Sequence, residues 1–345
     1  MNVILSLILS GGAVFGLVVF AFLGVWGAHL EWLFGVVIPY LAVVIFFVGI
    51  VYRVVKWAKS PVPFRIPSTC AQQKTLPWIK YSYADRIDNP ATTGGVVVRM
   101  ILEVFCFRSL LRNTRLEFGS GDEITYKSAK WLWLAAIVFH YTFLVVLLRH
   151  LRFFTEPMPF FVTLIERVDG FFQVTLPVLY QSGFLLGAAL TFLLLRRLID
   201  NKLRYISLPA DYFPLLLILA IAKTGILMRY VFKADVVSIK ELTLGLVSFS
   251  PTVPEGISVL FYIHVFLVSV LFAYFPFSKL VHMAGVFLSP TRNLSNNNRV
   301  VRHINPWNYP VKLHTYQDYE NEFREKMIGA GLPVEKQTAS TEEKE

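Results

Sequence analysis

The chain alternates long apolar stretches with shorter polar ones, and the apolar stretches are continuous. Runs of about 20 apolar residues have the length at which a helix crosses a hydrocarbon core roughly 30 Å thick. Only helices or closed barrels satisfy the backbone in that environment. A barrel strand would alternate apolar and polar positions, and these runs do not, so the pattern predicts helices. Six spans read out, at about 3–26, 32–55, 129–151, 174–195, 212–232 and 256–275. The expected fold class is all-α, a polytopic membrane bundle of six transmembrane helices. The first run begins Met1-Asn2-Val3 with no basic residue ahead of it, and is read as a retained span rather than a cleaved signal peptide.

Residues 60–127 are too polar to span. Pro61, Pro63, Pro67 and Pro77 make the first part irregular. Residues 96–115 mix apolar positions with Arg99, Arg108, Arg112 and Arg115, which predicts an amphipathic helix. Such a helix would lie on the inner membrane surface or form a docking surface for a soluble subunit. Residues 335–345 are polar and charged and are expected to be disordered. The chain thus divides into two N-terminal spans (1–56), a cytoplasmic loop with an amphipathic helix (57–127), a four-helix core (128–288) and a cytoplasmic tail (289–345).

Composition narrows the function classes. A chain that is 55% hydrophobic and only 16% charged, with mean hydropathy +0.56, is not that of a water-soluble domain. The net charge of +10 would invite nucleic acid in a soluble protein. Here the basic residues collect in alternate loops, which is the pattern of cytoplasmic loops. Arg53, Lys56, Lys59, Arg65, Lys74 and Lys80 follow the second span, Arg196, Arg197, Lys202 and Arg204 the fourth, and Lys279, Arg292, Arg299 and Arg302 the sixth. On the opposite side, Arg149, Arg152 and Arg167 are offset by Glu156, Glu166 and Asp169, and Arg229, Lys233 and Lys240 by Asp235, Glu241 and Glu255. Both termini are therefore expected in the cytoplasm, with membrane lipid as a partner and no nucleic acid. Trp131 and Trp133 open the third span where amphipathic rings suit the interface. Cys70 and Cys106 have no Cys-x-x-Cys partner, cannot build an iron–sulfur set, and are read as ordinary thiols.

The candidate chemistry lies in the histidines. Of seven, His140 and His150 sit on the third span, His264 sits on the sixth, and His282 falls where that helix would continue toward the inner side. His29, His303 and His314 have no such partner and read as loop or subunit-contact residues. A single intramembrane histidine is equally well explained by a helix–helix hydrogen bond. Two pairs on two helices point further, because intramembrane ionisable groups are costly and neutral imidazole is a haem-iron ligand. The third span runs inside to outside and the sixth outside to inside. His150 and His264 then share the outer level, and His140 and His282 the inner one. Each pair can clamp one iron. On continuous helices the rises differ, about 27 Å from His264 to His282 against about 15 Å from His140 to His150. Tilt and a bend at Pro276 are expected to absorb part of that difference.

The spacing His140-x9-His150 with His264-x17-His282, together with Phe275-Pro276-Phe277-Ser278-Lys279-Leu280-Val281-His282, resembles the NarI-like cytochrome b subunits of respiratory nitrate reductase. Two departures are the additional N-terminal span and the long cytoplasmic insertion. The tail Ser289-Pro290-Thr291-Arg292-Asn293-Leu294, with Arg302-His303-Ile304-Asn305-Pro306-Trp307, is more similar to the DsrM group. Those are haem b subunits of a heterodisulfide-reductase-like, menaquinol-oxidising membrane complex linked to dissimilatory sulfite reduction. The resemblance implies two haems b on these four histidines, quinol or menaquinol as substrate, and a prokaryotic cell membrane location. It also implies a cytoplasmic iron–sulfur partner like the heterodisulfide reductase subunit, with multihaem cytochrome c and ferredoxin-like subunits.

Lys223, mid-span on the fifth helix, could meet a haem propionate or a quinone oxygen, with snorkelling as the bland reading. Arg149, Arg152 and Arg229 could hold propionates or face headgroups. Glu166 and Asp169 read as solvated loop charges, with proton acceptance from quinol as the alternative. Competing function classes are a nitrate-reductase-like gamma subunit, a transporter, and a haem-free membrane anchor. A transporter would show internal repeats and midplane charge, and the sequence shows no repeat.

Overall fold

The computed structural model describes residues 3–60, 83–112, 115–118, 124–171, 178–297 and 313–335. Six helices are long and apolar enough to cross a membrane: Val3–Gly27, Leu33–Ala58, Lys130–Phe154, Gln181–Ile199, Pro209–Tyr230 and Val259–Phe277, here spans 1 to 6. Each corresponds to one expected span, and the all-α bundle stands. Arg115–Phe118 (β1) and Ile124–Lys127 (β2) add a small antiparallel hairpin, with Arg115 opposite Lys127 and Phe118 opposite Ile124.

Spans 1, 2, 5 and 6 enclose the main core, where Phe34, Leu217, Leu242, Tyr262, Phe266 and Leu267 are buried. Spans 4 and 5 meet in a second cluster of Leu186, Leu190 and Ile218. Polar ties are few and specific. The Ser10 hydroxyl donates to Pro209 O at 3.0 Å, Tyr40 Oη donates to Leu246 O at 2.8 Å, and Thr243 donates to Phe153 O at 2.6 Å. In an apolar medium such side-chain bonds hold helices in register. Span 3 packs along span 4, and span 6 packs on spans 1, 2 and 5. Spans 3 and 6 do not pack along one another among the described residues.

The fourth span departs from its expected start at 174. Residues 174–177 lie outside the described residues, Tyr180 is extended, and the helix begins at Gln181. The Val178 carbonyl accepts from Arg229 at 3.1 Å, and the Tyr180 N–H donates to Tyr230 Oη at 2.8 Å. Span 5 thus supplies the partners that a longer helix would have supplied.

The sixth helix does not continue to His282, which corrects the expected 27 Å rise. Its α-helical part ends at Tyr274, and Phe275–Phe277 is a 3₁₀ turn containing Pro276. Ser278 is then extended, with its hydroxyl accepting from the Leu280 N–H at 3.1 Å. A second 3₁₀ turn, Lys279–Val281, delivers His282. Proline has no N–H to continue the ladder, and the serine side chain caps the restart. Gly49 on span 2 lets this corner approach, since a Cβ there would stand 2.7 Å from Pro276 Cβ.

The amphipathic segment expected at 96–115 is a helix only over Thr93–Cys106, capped by the Thr92 hydroxyl, which accepts from the Gly95 N–H at 3.2 Å. Phe107 at φ 49° ends it, and a short turn, Arg108–Leu111, follows. Cys106 is a free, exposed thiol, whereas Cys70 lies outside the described residues. So do the prolines at 61, 63, 67 and 77, His303, the motif 302–307, and 336–345.

The chain forms two compact units, one of Met1–Ser60 with Arg65–Arg302 and one of Pro61–Phe64 with His303–Glu345. In the second unit, helix Tyr316–Gly329 is closed by a capping box between Thr315 and Asp318.

Candidate functional site

The four histidines in or just beyond spans 3 and 6 meet two by two. The His140 and His282 ring centroids are 6.0 Å apart with planes at 83°, and those of His150 and His264 are 6.3 Å apart with planes at 11°. His140 and His150 project from span 3, His264 from span 6, and His282 from the restart after the Pro276 corner. Because spans 3 and 6 stand apart, imidazoles reach into the gap between them.

In every one of the four rings Nδ1 is already engaged. His140 Nδ1 lies 2.7 Å from Ala136 O, His150 Nδ1 2.6 Å from Val146 O, and His282 Nδ1 3.0 Å from Lys279 O. A carbonyl can only accept, so these three nitrogens donate. His264 Nδ1 lies 2.8 Å from Thr224 Oγ1 on span 5. That hydroxyl is also within 3.0 Å of Ala220 O and 2.9 Å of Ile221 O, which take its proton. It therefore accepts from His264. With Nδ1–H donated outward, each neutral imidazole keeps its lone pair on Nε2, the arrangement that orients metal-ligating histidines.

A metal–imidazole bond of about 2.0–2.1 Å on each side of one ion puts two ring centroids roughly 6 Å apart. Both observed separations meet that requirement. No set of three or more His, Cys, Asp or Glu side chains converges among the described residues, so the donors come as opposed imidazole pairs rather than as a tetrahedral cage. Aromatic edges line the His140 ring, with Phe107 and Phe139 each at 4.9 Å, and Phe153 stands 6.0 Å from His150. The residues present fit two bis-histidine haem irons, one per pair.

A charged cluster stands beside the His150 end. Arg149 donates to Asp169 Oδ2 at 2.6 Å, and the Ser182 N–H and hydroxyl donate to the same carboxylate at 2.7 and 2.6 Å. The guanidinium carbons of Arg149 and Arg229 lie 3.3 and 4.1 Å from the Tyr180 ring centroid. Arg152 pairs with Glu166 at 2.8 Å. Asp169 is buried, which corrects its reading as a solvated loop charge. Lys223 is exposed and makes no hydrogen bond or ion pair among the described residues, and its neighbour Thr224 is the residue that touches a histidine.

The nitrate reductase gamma subunit model matches residues 98–304, a stretch holding all four paired histidines and Lys223. The chain belongs to the nitrate reductase gamma subunit family. It is 49% identical over 279 residues to an Archaeoglobus fulgidus protein described as an Hdr-like menaquinol oxidoreductase cytochrome b-like subunit. That alignment covers 80% of this chain and 83% of the relative. The Archaeoglobus profundus protein of the same description is 45% identical over 78% of this chain and 81% of its own length. The nitrate reductase gamma chain of Bacillus subtilis is 25% identical over 60% of this chain and 96% of its own. With six apolar helices, this gamma-family chain is a multi-pass membrane protein.

Sequence reasoning about this family member missed Thr224 and Ser182. Thr224 carried a weak signal, a hydroxyl inside an apolar helix, where threonine usually bonds its own i−4 carbonyl. Phe107 carried none, since its place beside His140 depends on a backbone corner.

Proposed function

We propose that this chain is the di-haem b membrane subunit of a menaquinol-oxidising respiratory complex. The observation that carries the reading is the pair of imidazole separations, 6.0 and 6.3 Å, with all four Nδ1 atoms tied away from the gap. His140 with His282 would hold the inner haem iron, and His150 with His264 the outer one. Haem b, when bound, supplies a one-electron carrier at each level. The histidines would fix its position, and the carbonyls and the Thr224 hydroxyl at their Nδ1 atoms would tune ligand basicity. Quinol oxidation would release protons and electrons, and the two histidine pairs would hold one electron carrier at the outer level and one at the inner level. Lys223 is retained as a candidate for a propionate or quinone oxygen.

The finer reading extends the names of the archaeal relatives to this chain. Electrons would pass to a cytoplasmic iron–sulfur subunit of the heterodisulfide-reductase type, within a complex that includes multihaem cytochrome c and ferredoxin-like subunits and serves sulfite or sulfate respiration. Both termini would be cytoplasmic in a prokaryotic cell membrane, a reading the loop-charge bias supports, with 1–56, 57–127, 128–288 and 289–345 as the functional divisions.

The test is a reduced-minus-oxidised optical spectrum of the purified protein with haem quantified per chain. Two b haems are expected. His140→Ala and His264→Ala should each remove one, and a different one. A wild-type protein without b-type bands overturns the reading.

A further inference from the structure

The four histidines are not held alike. His140, His150 and His282 each donate Nδ1–H to a carbonyl three or four residues back in their own chain segment. Such an acceptor belongs to the same turn as the ligand and moves with it. His264 alone has a side chain within hydrogen-bond distance of Nδ1, that of Thr224 on another helix, 40 residues away in sequence, with the Ile221 carbonyl of that helix also facing the ring. Span 5 is built for the approach: Gly225 follows Thr224, and a Cβ at Gly225 would already stand 3.4 Å from His264 Cε1. His264 and Thr224 are both buried, so no water competes for the bond.

We propose that Thr224 is the positioning residue of the outer haem, its hydroxyl fixing the tautomer and ring plane of His264 and so setting that haem's potential apart from the inner one. This rests on the haem reading above. The relay runs from His264 Nδ1–H to Thr224 Oγ, and from Thr224 Oγ–H to the Ala220 or Ile221 carbonyl. A hydroxyl whose own proton is donated is polarised into a better acceptor. Donation from Nδ1–H makes Nε2 a stronger base, which favours the ferric over the ferrous ion and lowers the potential. The same bond stops rotation of the ring about its Cβ–Cγ bond and holds it at 11° to His150. Valine at 224 keeps the volume and removes the hydroxyl, leaving only the Ile221 carbonyl facing the ring.

The experiment is a spectroscopic redox titration of wild type, Thr224→Val, Thr224→Ala and Thr224→Ser, with low-temperature EPR of the oxidised proteins. His264→Ala identifies which component is the outer haem. Valine and alanine should each raise the outer midpoint alone. Loss of a partner that orients a ligating histidine costs about tenfold or more in metal affinity; an effect of about tenfold on the ferric form alone would be about 59 mV for a one-electron couple. The low-spin ferric signal of that haem should move with it, because the signal reads the angle between the ligand planes. Serine keeps the hydroxyl and should return both readouts to wild type. Two haems in wild type with no shift in valine or alanine, equal shifts of both haems, or no rescue by serine overturns the proposal. Absence of b haems in wild type instead overturns the underlying haem reading.

Discussion

At the scale of single residues, partner geometry decides what a charge is for. Arg149 and Asp169 are both well buried, with side-chain exposures of 14% and 6%. Arg152 and Glu166, similar in sequence, are more exposed at 32% and 15%. Removing one member of a buried pair leaves an uncompensated charge and costs about 3–5 kcal/mol, and the cost falls toward about 0–1 kcal/mol as a pair becomes more exposed. Asp169→Ala is therefore expected to lower the thermal midpoint in detergent well beyond Glu166→Ala. Equal effects would mean that the Arg149 cluster is solvated. That Arg149 and Asp169 carry charge was legible in the chain. That they find one another, with Ser182 completing the carboxylate's shell, was not, because the three sit on different elements and their meeting depends on how those elements pack.

At the scale of elements, apolar run length located all six spans to within a turn or two. The polar and proline-bearing edges were where it failed. The Pro276 corner is the consequential case, because it converts one long helix into a helix, an extended residue and a restart, and so sets where His282 stands. Gly49→Leu would drive a side chain into Pro276, whose Cβ would be 2.7 Å from even a Cβ there. On the proposed di-haem reading, displacement of the corner should lower haem occupancy at His140 and His282 while that at His150 and His264, away from this turn, is retained. Haem per chain, resolved by redox titration, checks the outcome. In the second unit, the Thr315 hydroxyl and N–H hold the Asp318 carboxyl below its usual range. Its contribution to helix Tyr316–Gly329 is present above the ordinary aspartate value of about 3.9 and is lost as pH falls through the depressed one. Hydrogen exchange in the first turn should accelerate on that acid limb, and Asp318→Asn should abolish the step.

At the scale of the whole molecule, the site lies where spans 3 and 6 face one another without packing along their length, among the described residues. Spans 1, 2, 5 and 6 pack into the main core and span 4 joins through span 5, while span 3 lies on span 4 with its histidines turned into the gap facing span 6. The orientation proposed from loop charge makes a direct prediction. In a background with Cys70 and Cys106 replaced by serine, a thiol introduced by Ser340→Cys should react with an impermeant maleimide only from the cytoplasmic face. One introduced by Glu255→Cys should react only from the other. The reverse pattern would invert the inner and outer assignment of the two histidine pairs.

What the sequence determined by itself was whatever depends on local composition and chain direction: six apolar helices, the basic bias of alternate loops, and four histidines in or beyond the ends of two spans. These follow from the cost of exposing polar backbone or charge to hydrocarbon, and that cost is set residue by residue. The partners His150–His264 and His140–His282 followed from the opposite directions of the two spans, whereas only the tertiary structure decided how close the rings of each pair come, that the chain breaks before His282, and that Thr224 rather than Lys223 meets His264. Those outcomes depend on the rotation and separation of helices far apart in the chain, and helix rotation is fixed by packing against neighbours, which no single stretch of sequence records.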